Sequence, residues 1–177
     1  AEVMETELQD PAGAARMYGE IVELTGDRVA LREQVRLLAS RDDASLVRRA
    51  IDEAIQRART GRARATALLT RGERWLHMGE LQNARVDFEA AEALVPGMVP
   101  ALSGLLLCVE GEERFSLASR LRTVLAGLHR RTPDRAEALR VLARTAEEQL
   151  RDSQLAQWAW SEVLAENPES EQARERL

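Results

Sequence analysis

The side chains that could hold a metal or carry out nucleophilic chemistry are sparse in this chain. They are His77, His129, Cys108 and the acid pairs Asp42–Asp43, Glu112–Glu113 and Glu147–Glu148. Zinc is held by His and Cys at short spacings on one turn or loop. Here the two histidines lie far apart and neither belongs to an H-E-x-x-H pattern, so both read as surface or loop residues. Cys108 is the single cysteine, which rules out an intrachain disulfide. It sits in the apolar run Leu105, Leu106, Leu107, Cys108 and Val109, where a thiol packs as a small core residue without the cation or base that would activate it. The acid pairs fall at helix ends or on polar faces, where solvation explains them better than acid–base work. With no lysine in the chain there is no G-x-x-x-x-G-K-[ST], and G-x-G-x-x-G is absent too. The expectation is a non-catalytic chain with no cofactor and no metal.

Charge points the same way. The 25 basic residues are all arginine, set against 30 acids for a net charge of −5 with the signs interleaved. The absence of lysine reads as the codon bias of a GC-rich bacterial genome. The densest basic cluster is Arg57, Arg59, Arg62, Arg64 and Arg71. It lacks interleaved aromatics on which bases could stack, and Glu73 follows it. RNA binding through Arg59, Arg62 and Arg64 is therefore the weaker use of this cluster, and an acidic protein or peptide the better one.

The elements that must position these residues are helices. Hydrophobic residues make up 45% of the 177 and charged residues 31%, a globular composition. No apolar run approaches the roughly 20 residues that span a bilayer, so no direct membrane insertion and a cytoplasmic location are expected. Alternating β-branched runs are missing, while Ala, Leu, Arg and Glu dominate. Asp10 before Pro11, Thr132 before Pro133 and Asn167 before Pro168 place capping side chains ahead of first-turn prolines. Asp27, Asp43 and Ser153 are further expected caps. Gly26, Gly61, Gly79, Gly97 and Gly111 are expected where helices stop. The spacing predicts helices over 11–25, 28–40, 43–59, 63–78, 81–94, 99–110, 114–131, 133–150 and 153–166. The opening "AEVMETELQDP" has no basic stretch leading into an apolar one and resembles the tail of a helix, while "NPESEQARERL" resembles the start of another. The chain is expected to be an internal fragment of something longer.

A pattern recurs within these helices. A small or β-branched residue, a bulky residue four later and an apolar residue three after that occur as Ala14, Tyr18, Ile21, then Val47, Ile51, Ala54. They return as Ala84, Phe88, Ala91, as Ala118, Arg122, Leu125 with arginine in the bulky place, and as Ala156, Trp160, Val163. In "RGERWLHMGELQNARVDFEAAEALVP" the stripe Leu68, Gly72, Trp75, Gly79 faces Leu81, Ala84, Phe88, Ala91, and Pro96 ends the unit. Small residues let the two helices approach, and Trp75 and Phe88 fill the space beside them. With a period near 34 residues built from helix pairs, the chain resembles the tetratricopeptide repeat family. The likeness is strongest over 68–96 and in "LAQWAWSEVLAENPES". It departs from the family pattern at Arg122, where an aromatic is usual, and in the second unit, which lacks its proline.

The resemblance implies an all-α fold: a right-handed superhelical array of antiparallel helix hairpins, an α-solenoid. Residues 1–177 would form one repeat domain of about five helix pairs. The first helices of the pairs would line a concave groove that accepts a peptide or helix. With Leu31, Val35, Leu38; Leu68, Gly72, Trp75; Leu102, Leu105, Val109; and Leu139, Leu142, Ala146 buried, Arg32, Arg36, Leu69, Glu73, Leu76, Ser103, Leu107, Arg140 and Arg144 would face that groove. Arginines at both ends of an apolar middle suit an acidic peptide with a hydrophobic centre. A chaperone-tail clamp is not expected, because such clamps use lysine and Leu69 and Glu73 occupy two of their places. Trp158 and Trp160, about 200° apart on a helix, cannot both face one core; Trp160 fits the buried slot. The implied function is a protein–protein interaction scaffold or adaptor. The alternative is a regulatory module of a larger enzyme or membrane-associated assembly.

Overall fold

The computed structural model describes residues 10–39, 44–129 and 132–177. Among them every regular element is helical. The elements are α1 Pro11–Thr25, α2 Arg28–Ala39, α3 Ala44–Arg57, α4 Gly61–His77 and α5 Leu81–Leu94, then α6 Val99–Cys108 and α7 Gly111–Gly127. The last three are α8 Pro133–Thr145, continued by a π-helical turn Ala146–Leu150, α9 Ser153–Glu166 and α10 Glu171–Arg176. The chain divides into two compact units, Ala1–Pro96 and Gly97–Leu177.

The caps explain most of the helix boundaries. Asp10 Oδ1 accepts from the Gly13 amide at 2.8 Å, Asp27 Oδ1 from Ala30 at 2.9 Å and Thr132 Oγ1 from Arg135 at 3.4 Å. Each satisfies an amide that the first turn leaves without a helical partner. Two expected caps give way to neighbours. Asp152, not Ser153, accepts from Leu155, and Ser170, not Asn167, accepts from Ala173. Asn167 instead closes α9 and takes the Glu169 amide in a local turn. Gly61 and Gly111 open α4 and α7 rather than closing the helices before them. The cap at Asp43 and the helix ends expected at 40, 43 and 131 lie outside the described residues, as do Asp42 and the opening residues 1–9.

In the first unit each helix packs on the next, and α1 also touches α3 and α4 while α2 touches α4. The link between α1 and α2 is two residues, Gly26 and Asp27, which can only turn the chain back on itself. Gly26 adopts φ 68°, and a Cβ on it would lie 2.6 Å from the Ala63 Cα. Both the turn and the approach of α4 demand its missing side chain. Val47, Ile51 and Ala54 on α3 and Ala84, Phe88 and Ala91 on α5 are all buried. In the Ala14 set, Tyr18 is half-buried and Ile21 is exposed. Between α4 and α5 the approach is also tight: a Cβ at Gly72 would lie 2.7 Å from Cε1 and 2.8 Å from Cδ1 of the Phe88 ring.

In the second unit α6 packs on α7 and α8, α8 on α9, and α9 on α10. Leu102, Leu106, Leu121, Leu125, Leu139, Leu142, Ala156 and Trp160 form its core. Cys108 is buried within α6, and His129 is exposed. Arg122, in the slot where the repeat pattern has a bulky apolar residue, is exposed. Its guanidinium lies 5.1 Å from the centre of the Trp158 ring. Trp158 is half-buried and packs against the core. The arginine and the second tryptophan thus account for each other, as a cation over an aromatic face.

Gly72→Ala is expected to destabilise the protein by about 1–3 kcal/mol, because the added methyl overlaps a fully buried ring and forces the packing around it to shift. Urea unfolding followed by circular dichroism measures it. A variant as stable as the parent would mean that α4 and α5 can part without cost.

Candidate partner-binding surface

The expected groove residues fall into one set in each unit. In the first, Arg32 and Glu73 meet: Arg32 Nη2 lies 3.4 Å from Glu73 Oε1, and Arg28 reaches the same oxygen at 2.5 Å. This ties α2 to α4, the two helices expected to share a face. Arg36, more than half exposed, bonds Glu33 one turn back at 2.7 Å. Leu76 is half-buried. Leu69 is fully buried and cannot touch a guest. In the first half of α4 every residue from Ala65 to Thr70 is buried, because helices surround it on several sides. The assumption of a single buried stripe is too narrow there.

In the second unit Ser103 is also buried, its hydroxyl donating to the Val99 carbonyl at 2.9 Å, so it belongs to the packing of α6 and not to a surface. Leu107 is 38% exposed. On α8, Arg140 pairs with Glu137 at 2.7 Å, and Arg144 donates to the Gln172 side chain of α10 at 3.4 Å. Seven of the nine residues thus remain accessible wholly or in part, and four of those are arginines.

Two further arginines are drawn into the packing, Arg135 buried and Arg71 half-buried, and neither is among the residues expected there. Arg71 on α4 grips Asp87 on α5 with two bonds of 2.8 Å and Asp52 on α3 with one of 2.9 Å. The hydrogen bonds it donates to Asp87 are the main cause raising its pKa, against the opposing effect of burial. Arg135 on α8, 2% exposed, bonds Glu162 at 2.7 Å, Glu166, and the Leu125 carbonyl at the end of α7 at 3.1 Å. Burial works hardest against its charge, yet the bonds to Glu162 and Glu166 prevail and raise its pKa. A buried charge survives only when paired and hydrogen-bonded in this way. The basic cluster is correspondingly dispersed: Arg71 is inside this clamp and Arg57 pairs with Glu23 at 3.2 Å, leaving Arg59, Arg62 and Arg64 exposed.

The residues expected not to do chemistry are placed as follows. His77 is exposed at the end of α4, and Glu112 and Glu113 are exposed in the first turn of α7. Glu147 pairs with Arg176 at 3.1 Å. Among the described residues no group of His, Cys, Asp and Glu could hold a metal ion, and no helix is long and apolar enough to cross a membrane. No family model matches the chain, and neither a curated protein nor a solved structure matches it.

Asp87→Ala leaves Arg71 half-buried with only Asp52 to pair. The expected loss is about 3 kcal/mol, the low end for a broken buried pair because one carboxylate remains. Replacing both partners, Arg71→Met with Asp87→Leu, is expected to recover most of it. Thermal unfolding of the two variants checks the contrast; equal losses would mean that the clamp contributes through packing alone.

Proposed function

We propose that the chain is a tetratricopeptide-like array of helix hairpins that serves as a non-catalytic protein–protein interaction scaffold. The observation that carries this reading is the meeting of Arg32 on α2 with Glu73 on α4, which sets side chains of two successive first helices on one face. Packing supports it within each unit, since first helices touch one another as well as their partners: α2 with α4, and α6 with α8. The recurring stripe supports it too. Three of its five sets are wholly buried, and Ala118 and Leu125 flank the exposed Arg122 in a fourth. Stacked hairpins bury one side of each helix and leave the other side for a guest.

The guest that suits each unit's accessible residues is an acidic peptide or helix carrying an apolar side chain. In the first unit Arg32 and Arg36 supply charge and Leu76 apolar contact; in the second Arg140 and Arg144 supply charge and Leu107 apolar contact. Such a face binds through side chains already fixed on helices, so little ordering cost attends capture.

A fluorescein-labelled 16-residue peptide with acidic flanks and a Leu-Phe centre is the probe. The variant carrying Arg32→Glu, Arg36→Glu, Arg140→Glu and Arg144→Glu is expected to bind it about tenfold or more weakly, with helix content unchanged by circular dichroism. Anisotropy titration of the full chain measures this. Affinity that survives all four reversals rejects the groove.

A further inference from the structure

A cleft of about 310 Å³ opens between α3 and α4, lined by Ser45, Arg48 and Ile51 from the first and Arg71, Arg74, Trp75 and Met78 from the second. It uses none of the groove residues named above. Its floor is apolar: Ile51 is 1% exposed and Trp75 is half-buried beside it. Met78, 61% exposed, forms a soft rim able to reshape around a guest. The volume stands at the lower end for ligand sites and holds one bulky side chain rather than a cofactor.

The walls are cationic. Three arginines line the cleft, and two carboxylates are within reach of them, Asp52 and Asp87. Both are committed to Arg71, with Arg48 a further 3.8 Å from Asp52. Among the described residues one positive charge is left over. The Arg74 side chain has no hydrogen-bonding or ionic partner among those residues, and the Arg48 side chain is 72% exposed at the mouth. The clamp on Arg71 also fixes the wall, because it is anchored to α3 and α5 at once.

We propose that this cleft is a second binding site, for a short acidic peptide segment that inserts one aromatic or branched apolar side chain. The side chain rests on Trp75 and Ile51. A flanking carboxylate of the peptide pairs with Arg74 and another with Arg48. The Arg48 side chain is 72% exposed at the mouth, so a ligand serving both charges and the floor must run from the floor out to the mouth; a peptide does so and a single small acid does not. The site is independent of the groove reading.

The test is a titration of the full chain, followed in proton–nitrogen correlation spectra, with the N-acetylated, C-amidated peptide Glu-Asp-Phe-Leu-Asp-Glu. The indole resonance of Trp75, assigned by its loss in Trp75→Phe, is expected to shift while those of Trp158 and Trp160 stay. Arg48→Glu with Arg74→Glu is expected to weaken binding about tenfold or more. The milder Arg74→Gln is expected to weaken it several-fold, which keeps the test open should the double variant misfold. A peptide with Ser-Ser in place of Phe-Leu is expected not to bind. The site is overturned by affinity unchanged in both arginine variants, or by equal binding of the Ser-Ser peptide. It is overturned as well by 3-phenylpropionate binding as tightly as the peptide, which would mark a small-acid site. Weakening only in the variant reversed at Arg32, Arg36, Arg140 and Arg144 places the peptide in the groove and removes this site while keeping the other.

Discussion

The distance between α4 and α5 is set where the Phe88 ring lies on Gly72, and much of the first unit follows from that contact. Arg71 and Asp87 are the residues immediately before each of these two. With the helices this close, the guanidinium and the carboxylate face each other at the two-bond distance of 2.8 Å. A methyl at position 72 would push the ring outward and lengthen both bonds. Packing and electrostatics are therefore one constraint here, since the apolar contact fixes the geometry in which the charge pair is favourable.

That pair then carries order outward. The remaining nitrogen of Arg71 holds Asp52, which brings α3 onto the same scaffold. The cleft between α3 and α4 is bounded by this bridge on one side and by Trp75, one turn further along α4, on another. A wall made from a side chain with three bonds does not relax when a guest arrives, so binding there would not spend energy on rearrangement. Opposite in character is the face of α2 that holds Arg32 and Arg36, whose side chains are more than half exposed. Exposed pairs of this kind contribute little to stability and can be exchanged for a partner's carboxylates.

The helices were legible in the sequence because their signals are local. Asp10, Thr132 and Gly26 each act within one turn of where they stand. The errors are local competitions. Ser153 and Asn167 are good caps by type, but Asp152 and Ser170 stand where the free amides are. Gly61 and Gly111 are flexible enough to follow a cap as readily as to end a helix. The site was less legible, because Leu69 and Ser103 lie on helices that neighbours enclose on more than one side. The number of neighbours is a property of the assembled unit, which one helix's pattern does not contain. Asp87 and Arg135 did leave a signal. Asp87 stands within about 60° of both Ala84 and Ala91 around α5 at 100° per residue, and Arg135 within about 40° of Leu139 and Leu142 around α8. An ionised residue in phase with a buried stripe needs a partner that is buried with it.

Phase therefore decides what an arginine does in a chain whose cations are all arginine. On α8, Arg135 is in phase with the core stripe and is spent on Glu162, Glu166 and the Leu125 carbonyl. Arg140 and Arg144 lie about 140° and 180° further round the same helix and, among the described residues, are held by Glu137 and Gln172 at the surface. Composition cannot separate these roles, since residue type is constant, and neither can the count of charges. What separates them is the angle between each guanidinium and the nearest leucine stripe. The same rule puts Arg71 and Arg74, three residues apart on α4, to different uses. Arg71 turns toward Asp87 and becomes structure. Arg74, among the described residues, pairs with no carboxylate and leaves its charge on the wall of a cleft.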